Sequence, residues 1–230
     1  MIIAIDGPAG SGKSTVARAI AKRCGLTYLD TGAMYRCVTL ACLLRGVDID
    51  DAAEVARLAN EISIDFKQTD DGQIVLLDLQ DVSADIRTAE VERRVSEVAA
   101  IPEVRAAMVA LQRAAGEHGN VVAEGRDIGT VVYPDAQVKV FLTASAAARA
   151  HRRAVQREGG DVAQDAEATA DAAKEQAILA EIMRRDKIDS SRKADPLRPA
   201  DDACHIDSSN MTLDEVVDAI VKLMEEAGAE

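Results

Sequence analysis

The sequence predicts an α/β fold in which a parallel sheet is covered by helices on both faces. Apolar segments of strand length alternate with segments of helical periodicity along most of the 230 residues. A glycine-rich loop directly follows the first predicted strand and precedes the first predicted helix. Because ligands of such sheets bind beyond the carboxyl ends of the strands, we expect the functional site at that edge.

Five short segments are predicted as strands of this sheet, namely residues 2–6, 26–29, 120–123, 138–142 and 203–207. Helices are predicted at 13–24, at 32–45, from about 51, and across 85–116 with a break near Pro102. A closing helix has an apolar face formed by Leu213, Val216, Val217, Ile220, Leu223 and Met224.

Residues 62–79 interrupt this alternation. Ile62, Ile64 and Phe66 alternate with polar or small residues, residues 70–72 read Asp-Asp-Gly, and residues 74–77 are apolar. Alternation on both sides of a turn is typical of an antiparallel hairpin. We therefore predict a small inserted lobe at this point of the chain.

The glycine-rich loop has the pattern G-x-x-x-x-G-K-S from Gly7 to Ser14. Its glycines allow a tight turn whose backbone N–H groups point inward, at the start of a helix, where they attract a polyphosphate. Lys13 supplies a mobile positive charge, and the Ser14 hydroxyl is a ligand for a phosphate-bound Mg²⁺ ion. An ordinary glycine turn is the alternative, but the preceding strand and the apolar i, i+4 spacing after the loop favour nucleotide binding.

Composition argues against several other classes of protein. Aromatic residues make up 2% of the chain and the formal net charge is −13, so stacking platforms are scarce and nucleic acid phosphates are repelled. No apolar run approaches the roughly 20 residues that span a bilayer, and no basic, apolar leader opens the chain. We expect a cytoplasmic protein without a nucleic acid or membrane partner.

Cysteine and histidine do not indicate a metal site. No C-x-x-C pair is present, and the histidines stand far apart, so reduced core thiols and packing or surface imidazoles are the favoured interpretation. The residues concerned are Cys24, Cys37, Cys42, Cys204, His118, His151 and His205.

Arginines are concentrated in two places in an otherwise acidic chain. The first cluster is Arg149, Arg152, Arg153 and Arg157, and the second is Arg184, Arg185, Lys187, Arg192, Lys193 and Arg198. A solvated helix face is the alternative for either cluster alone. Beside a phosphate loop, guanidinium groups are well suited to neutralise a transferring phosphoryl group. The Ala- and Asp-rich residues 159–174 between the clusters form a mobile cover or a solvated surface segment, and composition leaves both open.

Two further polar segments, residues 30–36 and 124–130, follow predicted strands and suit a second anionic ligand. Together with the loop they give an ordered set of motifs: I-D-G-P-A-G-S-G-K-S-T at 5–15, L-D-T-G-A-M-Y-R at 29–36, D-I-R-T at 85–88, E-G-R-D-I-G-T at 124–130, and R-D-K-I-D-S-S-R at 185–192, followed by Pro196-Leu197. This set resembles the bacterial cytidylate kinases, a family of nucleoside monophosphate kinases, over nearly the whole length.

The resemblance implies a P-loop nucleoside monophosphate kinase fold. Its core domain would comprise residues 1–61 and 96–230, with a lid at about 153–174 and an inserted monophosphate-binding lobe at 62–95. The implied reaction moves the γ-phosphoryl group of ATP to CMP or dCMP with Mg²⁺, in pyrimidine nucleotide metabolism. A monomer is expected.

The resemblance also implies residue roles. ATP would be bound by Gly7, Pro8, Ala9, Gly10, Ser11, Gly12, Lys13, Ser14 and Thr15. The acceptor phosphate would be clamped by Arg36, Arg126 and Arg192, with Tyr35 beside them. The ribose would be held by Arg185 and Asp189. The cytosine edge would be read by Ser96, Arg105 and Asp127, and Thr31 would lie near the acceptor. Lys13, Arg153, Arg157 and Arg185 are the catalytic candidates, and Glu124 is a candidate for holding a metal-bound water.

The residue types proposed for the base site match cytosine. Asp127 and Ser96 can accept hydrogen bonds from the exocyclic amine, while Arg105 donates to the ring nitrogen and carbonyl. Uracil reverses donor and acceptor at two positions, and a hydrogen-bonding site can discriminate by about 10⁴-fold in such a case. A carboxylate that caps a turn is the alternative role for Asp127.

Two other function classes stay open at this point. One is a P-loop kinase of another small acceptor such as UMP, shikimate, gluconate or a coenzyme precursor. The other is a non-catalytic nucleotide-gated protein. A sugar or acid kinase would not need the three base-reading residues, and a switch protein would need a water-positioning residue, for which the sequence offers no clear candidate.

Overall fold

The computed structural model describes residues 1–69, 72–117, 119–160 and 171–228, and it divides into two compact units. The first unit comprises residues 1–29, 119–191 and 195–230. The second comprises residues 30–118 and 192–194. The Asp-Asp step of the predicted hairpin turn, His118, and residues 161–170 of the predicted lid lie outside the described residues.

The strands are β1 (Ile2–Asp6), β2 (Thr27–Asp30), β3 (Ile64–Thr69), β4 (Gly72–Leu77), β5 (Gln80–Asp81), β6 (Val121–Gly125), β7 (Val138–Thr143) and β8 (Cys204–Asp207). The helices are α1 (Lys13–Cys24), α2 (Thr31–Arg45), α3 (Ala52–Glu61), α4 (Ala89–Val98), α5 (Pro102–Ala115), α6 (Ala146–Arg157), α7 (Ala172–Ser191) and α8 (Leu213–Gly228). A 3-10 turn covers Asp85–Arg87 and a π-helical turn covers Ile128–Val132.

A five-stranded parallel sheet forms the centre of the first unit, with strand order β2-β6-β1-β7-β8. The central strands are apolar because they lie in the core: Ile3, Ile5 and Leu142 are fully buried in one cluster with residues of α1 and α8. The predicted fold class and all five predicted strands are therefore confirmed. Since β1 and β6 are neighbours in register, the loops that follow them emerge side by side.

The second unit contains the predicted hairpin. Strands β3 and β4 pair antiparallel from Ile64 opposite Leu77 to Thr69 opposite Gly72, which confirms it. The two-residue strand β5 extends the sheet, and so short a strand has no period that the sequence could reveal.

The bounds of the second unit differ from those of the predicted lobe at 62–95. Helix α2 packs against α3, α4 and α5, and α3 packs against α5. Because these helices bury their apolar faces against one another, residues 30–61 and 96–118 belong to the same compact unit as the hairpin. The binding role of residues 62–95 stays a prediction. Among the described helices, none combines the length and apolar character needed to cross a bilayer.

Candidate active site

Residues 7–12 form the loop between β1 and α1, and Lys13, Ser14 and Thr15 form the first turn of α1. Gly7 has a φ of 153°, and a Cβ atom there would lie 2.1 Å from the Leu142 carbonyl oxygen. Any side chain at this position would therefore collide with the backbone of β7, so the path of the loop requires glycine. This geometry places the N-terminus of α1 at the carboxyl edge of the sheet, where the sequence predicted a phosphate site.

The Lys13 side chain is 5% exposed and lies against the loop that precedes it. Its Nζ atom donates to the Pro8 carbonyl oxygen at 2.7 Å. Burial, with smaller contributions from Arg126 and Arg185, lowers the Lys13 pKa to about 7, and Glu124 and Asp6 oppose this shift. A bound polyanion would favour the charged ammonium form, so Lys13 is suited to hold a phosphate.

Asp6 is a buried carboxylate outside the set of predicted site residues. It ends β1 and accepts hydrogen bonds from the Ile128 and Gly129 backbone N–H groups, each at 2.7 Å. Burial raises the Asp6 pKa to about 6, with a smaller rise from Asp127, while the two N–H bonds and Lys13 oppose the shift. Asp6 therefore holds the segment after β6, which carries Arg126 and Asp127, beside the phosphate loop. The partners lie more than 120 residues away along the chain, so no local pattern indicates them.

We expect an Asp6→Asn variant to lose a pH-dependent part of the stability. Because the folded-state pKa of about 6 exceeds the ordinary 3.8, the folded state binds a proton that the unfolded state has released between these values. The wild-type free energy of unfolding should therefore fall, relative to the variant, by up to about 3 kcal/mol as pH rises from 3.8 to 6. Urea unfolding of both proteins at several pH values measures this difference. Parallel pH curves for the two proteins would contradict the assignment.

Three residues predicted to bind the phosphoryl acceptor form one cluster in the first unit, in which two arginines meet at one carboxylate. The Arg126 Nε atom donates to Asp189 Oδ2 at 2.9 Å, and Arg185 Nε lies 3.9 Å from the same oxygen. Asp189 is 3% exposed. Two guanidinium groups held by one buried carboxylate form a preorganised positive surface for a phosphate.

Glu124 lies in β6 next to β1, and its Oε1 atom accepts a hydrogen bond from the Tyr28 hydroxyl at 2.6 Å. Among the described residues, no group of three or more histidine, cysteine or acidic side chains forms a metal cluster. Mg²⁺ in phosphoryl-transfer sites keeps several waters and takes only one or two protein ligands beside the phosphates. The Ser14 hydroxyl, partly exposed in the first turn of α1, fits such a substrate-borne ion.

Six further residues predicted to bind the phosphoryl acceptor lie in the second unit, all of them buried: Thr31, Tyr35, Arg36, Ser96, Arg105 and Arg192. Arg36 Nη1 donates to the Ile86 carbonyl oxygen at 3.2 Å and lies 3.5 Å from Glu92 Oε1. The Arg105 guanidinium lies 5.5 Å from the centre of the Tyr35 ring. The predicted base readers are thus divided, with Ser96 and Arg105 in the second unit and Asp127 in the first.

The two predicted lid arginines of α6 lie differently from two neighbours on the same helix. Arg153 is partly buried, and Arg157 Nη2 donates to Glu181 Oε2 of α7 at 2.9 Å. Arg149 instead donates to the Ala9 carbonyl oxygen of the phosphate loop at 2.9 Å. Arg152 donates to Ser208 Oγ at 3.0 Å. The sequence identified the cluster, but the packing of α6 against the loop and against α7 determines which arginines reach the loop.

Comparison with known proteins adds independent evidence. The family model described as cytidylate kinase matches residues 3–226. The chain belongs to the cytidylate kinase family. Relatives named cytidylate kinase include those of Mycobacterium avium, with 48% identity over 97% of this chain and 95% of the relative, and Corynebacterium glutamicum, with 49% over 98% and 94%.

Family membership confirms the resemblance that the ordered motifs indicated. A solved shikimate kinase from Acinetobacter baumannii, in complex with shikimate, aligns over 98% of this chain and 93% of its own, with 12% identity and a TM-score of 0.42. That likeness is too distant to support a functional argument. The roles assigned to single residues of this cytidylate kinase family member stay predictions.

Proposed function

We propose that this protein transfers the γ-phosphoryl group of ATP to CMP or dCMP, giving ADP and CDP or dCDP. The observation that carries the proposal is the pairing of two anion sites in the first unit. The phosphate loop with Lys13 follows β1, and the cluster of Arg126, Arg185 and Asp189 lies where β6 ends. Membership in the cytidylate kinase family supports a nucleoside monophosphate as the acceptor.

On the donor side, the loop amides and the N-terminus of α1 hold the terminal phosphates of ATP. Lys13 adds its positive charge once the polyanion restores the ammonium form. Ser14 would hold Mg²⁺, which, when bound with the nucleotide, neutralises phosphate charge. Arg153 and Arg157 on α6 then have the role of keeping water away and adding positive charge near the transferred group.

On the acceptor side, we assign the phosphate to Arg126 in the first unit and to Arg36 and Arg192 in the second. Arg185 and Asp189 are assigned to the ribose. Phosphoryl transfer through a loose transition state needs alignment and positive charge more than a strong base, and the chain's arginines supply both. No covalent enzyme intermediate is expected.

Discrimination of the base is assigned to Ser96, Arg105 and Asp127. Arg105 is 2% exposed and is positioned by its contact with Tyr35 and by a 3.4 Å hydrogen bond to the Ala99 carbonyl oxygen. A buried, oriented guanidinium would be left without a suitable acceptor by the wrong base, which is the basis of strong discrimination. The cytoplasmic location, the monomeric state and the absence of a nucleic acid partner stay predictions.

A coupled assay of ADP release with Mg-ATP tests the proposed function. CMP, dCMP, UMP, AMP, GMP and shikimate are offered in turn at equal concentrations. We expect kcat/KM for CMP or dCMP to exceed that for every other acceptor by at least about tenfold, because only cytosine matches the assigned base readers. Turnover of another acceptor with none of CMP and dCMP would refute the assignment.

A further inference from the structure

We propose that Arg149 and Asp186 form a clamp on the phosphate loop and act as positioning residues for the donor nucleotide. The inference rests on the proposed function in one respect, namely that ATP occupies the loop. Arg149 lies on α6 and Asp186 lies on α7, so two consecutive helices that are far from the loop in sequence hold one residue of it.

Ala9 is the loop residue that both side chains contact. Arg149 Nη1 donates to the Ala9 carbonyl oxygen at 2.9 Å and to Asp186 Oδ2 at 2.7 Å. The Ala9 N–H group lies 3.4 Å from Asp186 Oδ1, a long hydrogen bond. The carbonyl and the N–H of one residue are thus bound by a guanidinium and a carboxylate that are paired with each other.

Arg149 is itself held rigidly. Its Nε atom donates to the Ala144 carbonyl oxygen at 3.1 Å, and its side chain is 9% exposed. A Cβ atom added to Gly10 would lie 3.2 Å from both Arg149 Cβ and the Arg149 carbonyl oxygen, so the start of α6 also covers the loop. A glycine-rich loop loses much backbone freedom when it orders around phosphates, and a loop held beforehand loses less.

An ordinary ion pair between two helices is the alternative explanation, and α6 and α7 provide a comparison. They are also joined by His151–Glu175, Arg157–Glu181 and Lys174–Glu158, with separations of 2.7, 2.9 and 2.8 Å. Each of these pairs is about a third or more exposed on both side chains, a setting in which pairs contribute little. The Arg149–Asp186 pair is more buried and also contacts Ala9, as described above.

The position of Asp186 on α7 also links the phosphate loop to the cluster of Arg126, Arg185 and Asp189. Arg185 precedes it directly, and Asp189, which binds Arg126, follows within one helical turn. The same turn of α7 therefore contacts the donor loop through Asp186 and the acceptor cluster through Asp189. The clamp therefore fixes the position of the phosphate loop relative to the acceptor cluster within the first unit.

Isothermal titration of the full chain with Mg-ATP, without an acceptor, tests the clamp. We expect Asp186→Asn and Arg149→Lys each to weaken ATP binding by about tenfold, roughly the worth of a hydrogen bond to a charged group. In turnover assays the KM for ATP should rise by a similar factor, with the KM for CMP changed less than twofold. Thermal unfolding sets a titration temperature at which every variant is folded.

Glu175→Gln is the matched control, since it removes the carboxylate charge from the exposed His151–Glu175 contact between the same two helices, whereas the clamp contacts Ala9. It should leave ATP affinity within twofold of wild type. The clamp would be overturned if both clamp variants bound Mg-ATP with wild-type affinity, or if Glu175→Gln lost as much ATP affinity as they do. ATP titration alone gives this result, whereas wild-type turnover of CMP tests the proposed function, so either can fail without the other.

Discussion

Replacement of Lys13 by methionine is expected to lower kcat for phosphoryl transfer by about 10²- to 10³-fold. Methionine keeps the length and apolar stem of the buried side chain but removes the ammonium group, which bonds to the loop and which we assign to the phosphates. In the wild type, we expect the ammonium charge to stabilise the transferring phosphoryl group more than it stabilises bound ATP. Its removal should therefore lower kcat by a larger factor than ATP affinity. Steady-state kinetics with Mg-ATP and CMP measure both, and an unchanged kcat would exclude Lys13 from the reaction.

Lys13→Arg provides the control for charge and gives a distinct pH signature. Because the Lys13 pKa is lowered to about 7 in the nucleotide-free protein, the charged form predominates only below that pH. Above pH 7, ATP must recruit a proton to Lys13 in order to bind, so wild-type affinity should fall by up to about tenfold per pH unit. An arginine stays charged across this range. Calorimetric affinities from pH 6 to 9 should show a smaller slope in Lys13→Arg, and identical slopes would attribute the effect to other groups.

Asp127→Ala is expected to abolish most of the preference for CMP over UMP, a ratio that we place at up to about 10⁴ in the wild type. The carboxylate is assigned to accept from the exocyclic amine of cytosine, and alanine removes that acceptor. Values of kcat/KM for CMP and UMP, measured in parallel, give the ratio. Asp135→Ala, an exposed acidic residue in the same unit, should leave the ratio unchanged.

The alternative role of Asp127 makes a different prediction for the same variant. Its backbone carbonyl accepts from Val131 and Val132 at 2.9 and 3.2 Å, so the residue begins the π-helical turn after β6, but its carboxylate makes no capping hydrogen bond to that turn. The structure therefore does not support the turn-capping role. If the carboxylate only stabilises its surroundings, Asp127→Ala should lower activity with CMP and UMP equally and reduce thermal stability. A mutant that retains the full preference would remove Asp127 from base reading.

The fold was predictable because its signals are local. Apolar strands that alternate with amphipathic helices indicate a parallel sheet, and the loop motif indicates where its ligand lies, since the required glycine conformations are set within a few residues. The hairpin at β3 and β4 was recognisable from alternation, whereas the two residues of β5 were too few to show a period.

The roles within the α6 arginine cluster were not predictable in the same way. Arg149, Arg153 and Arg157 lie on one helix at spacings of four, and sequence spacing alone cannot distinguish them. Packing of α6 against α7 and against the loop determines that Arg149 reaches Ala9 and that Arg157 pairs with Glu181.

The amino-acid order alone determined the α/β class, the phosphate loop and the set of motifs that places this protein in its family. Only the folded arrangement determined that Asp6 holds the segment after β6, that Asp186 reaches Ala9, and that α2 to α5 form one compact unit. The physical reason is the separation along the chain of the residues that determine each feature. Turn conformations and amphipathic periods arise between residues a few positions apart, whereas these contacts join groups up to about 180 residues apart that meet only when the sheet and helices have packed.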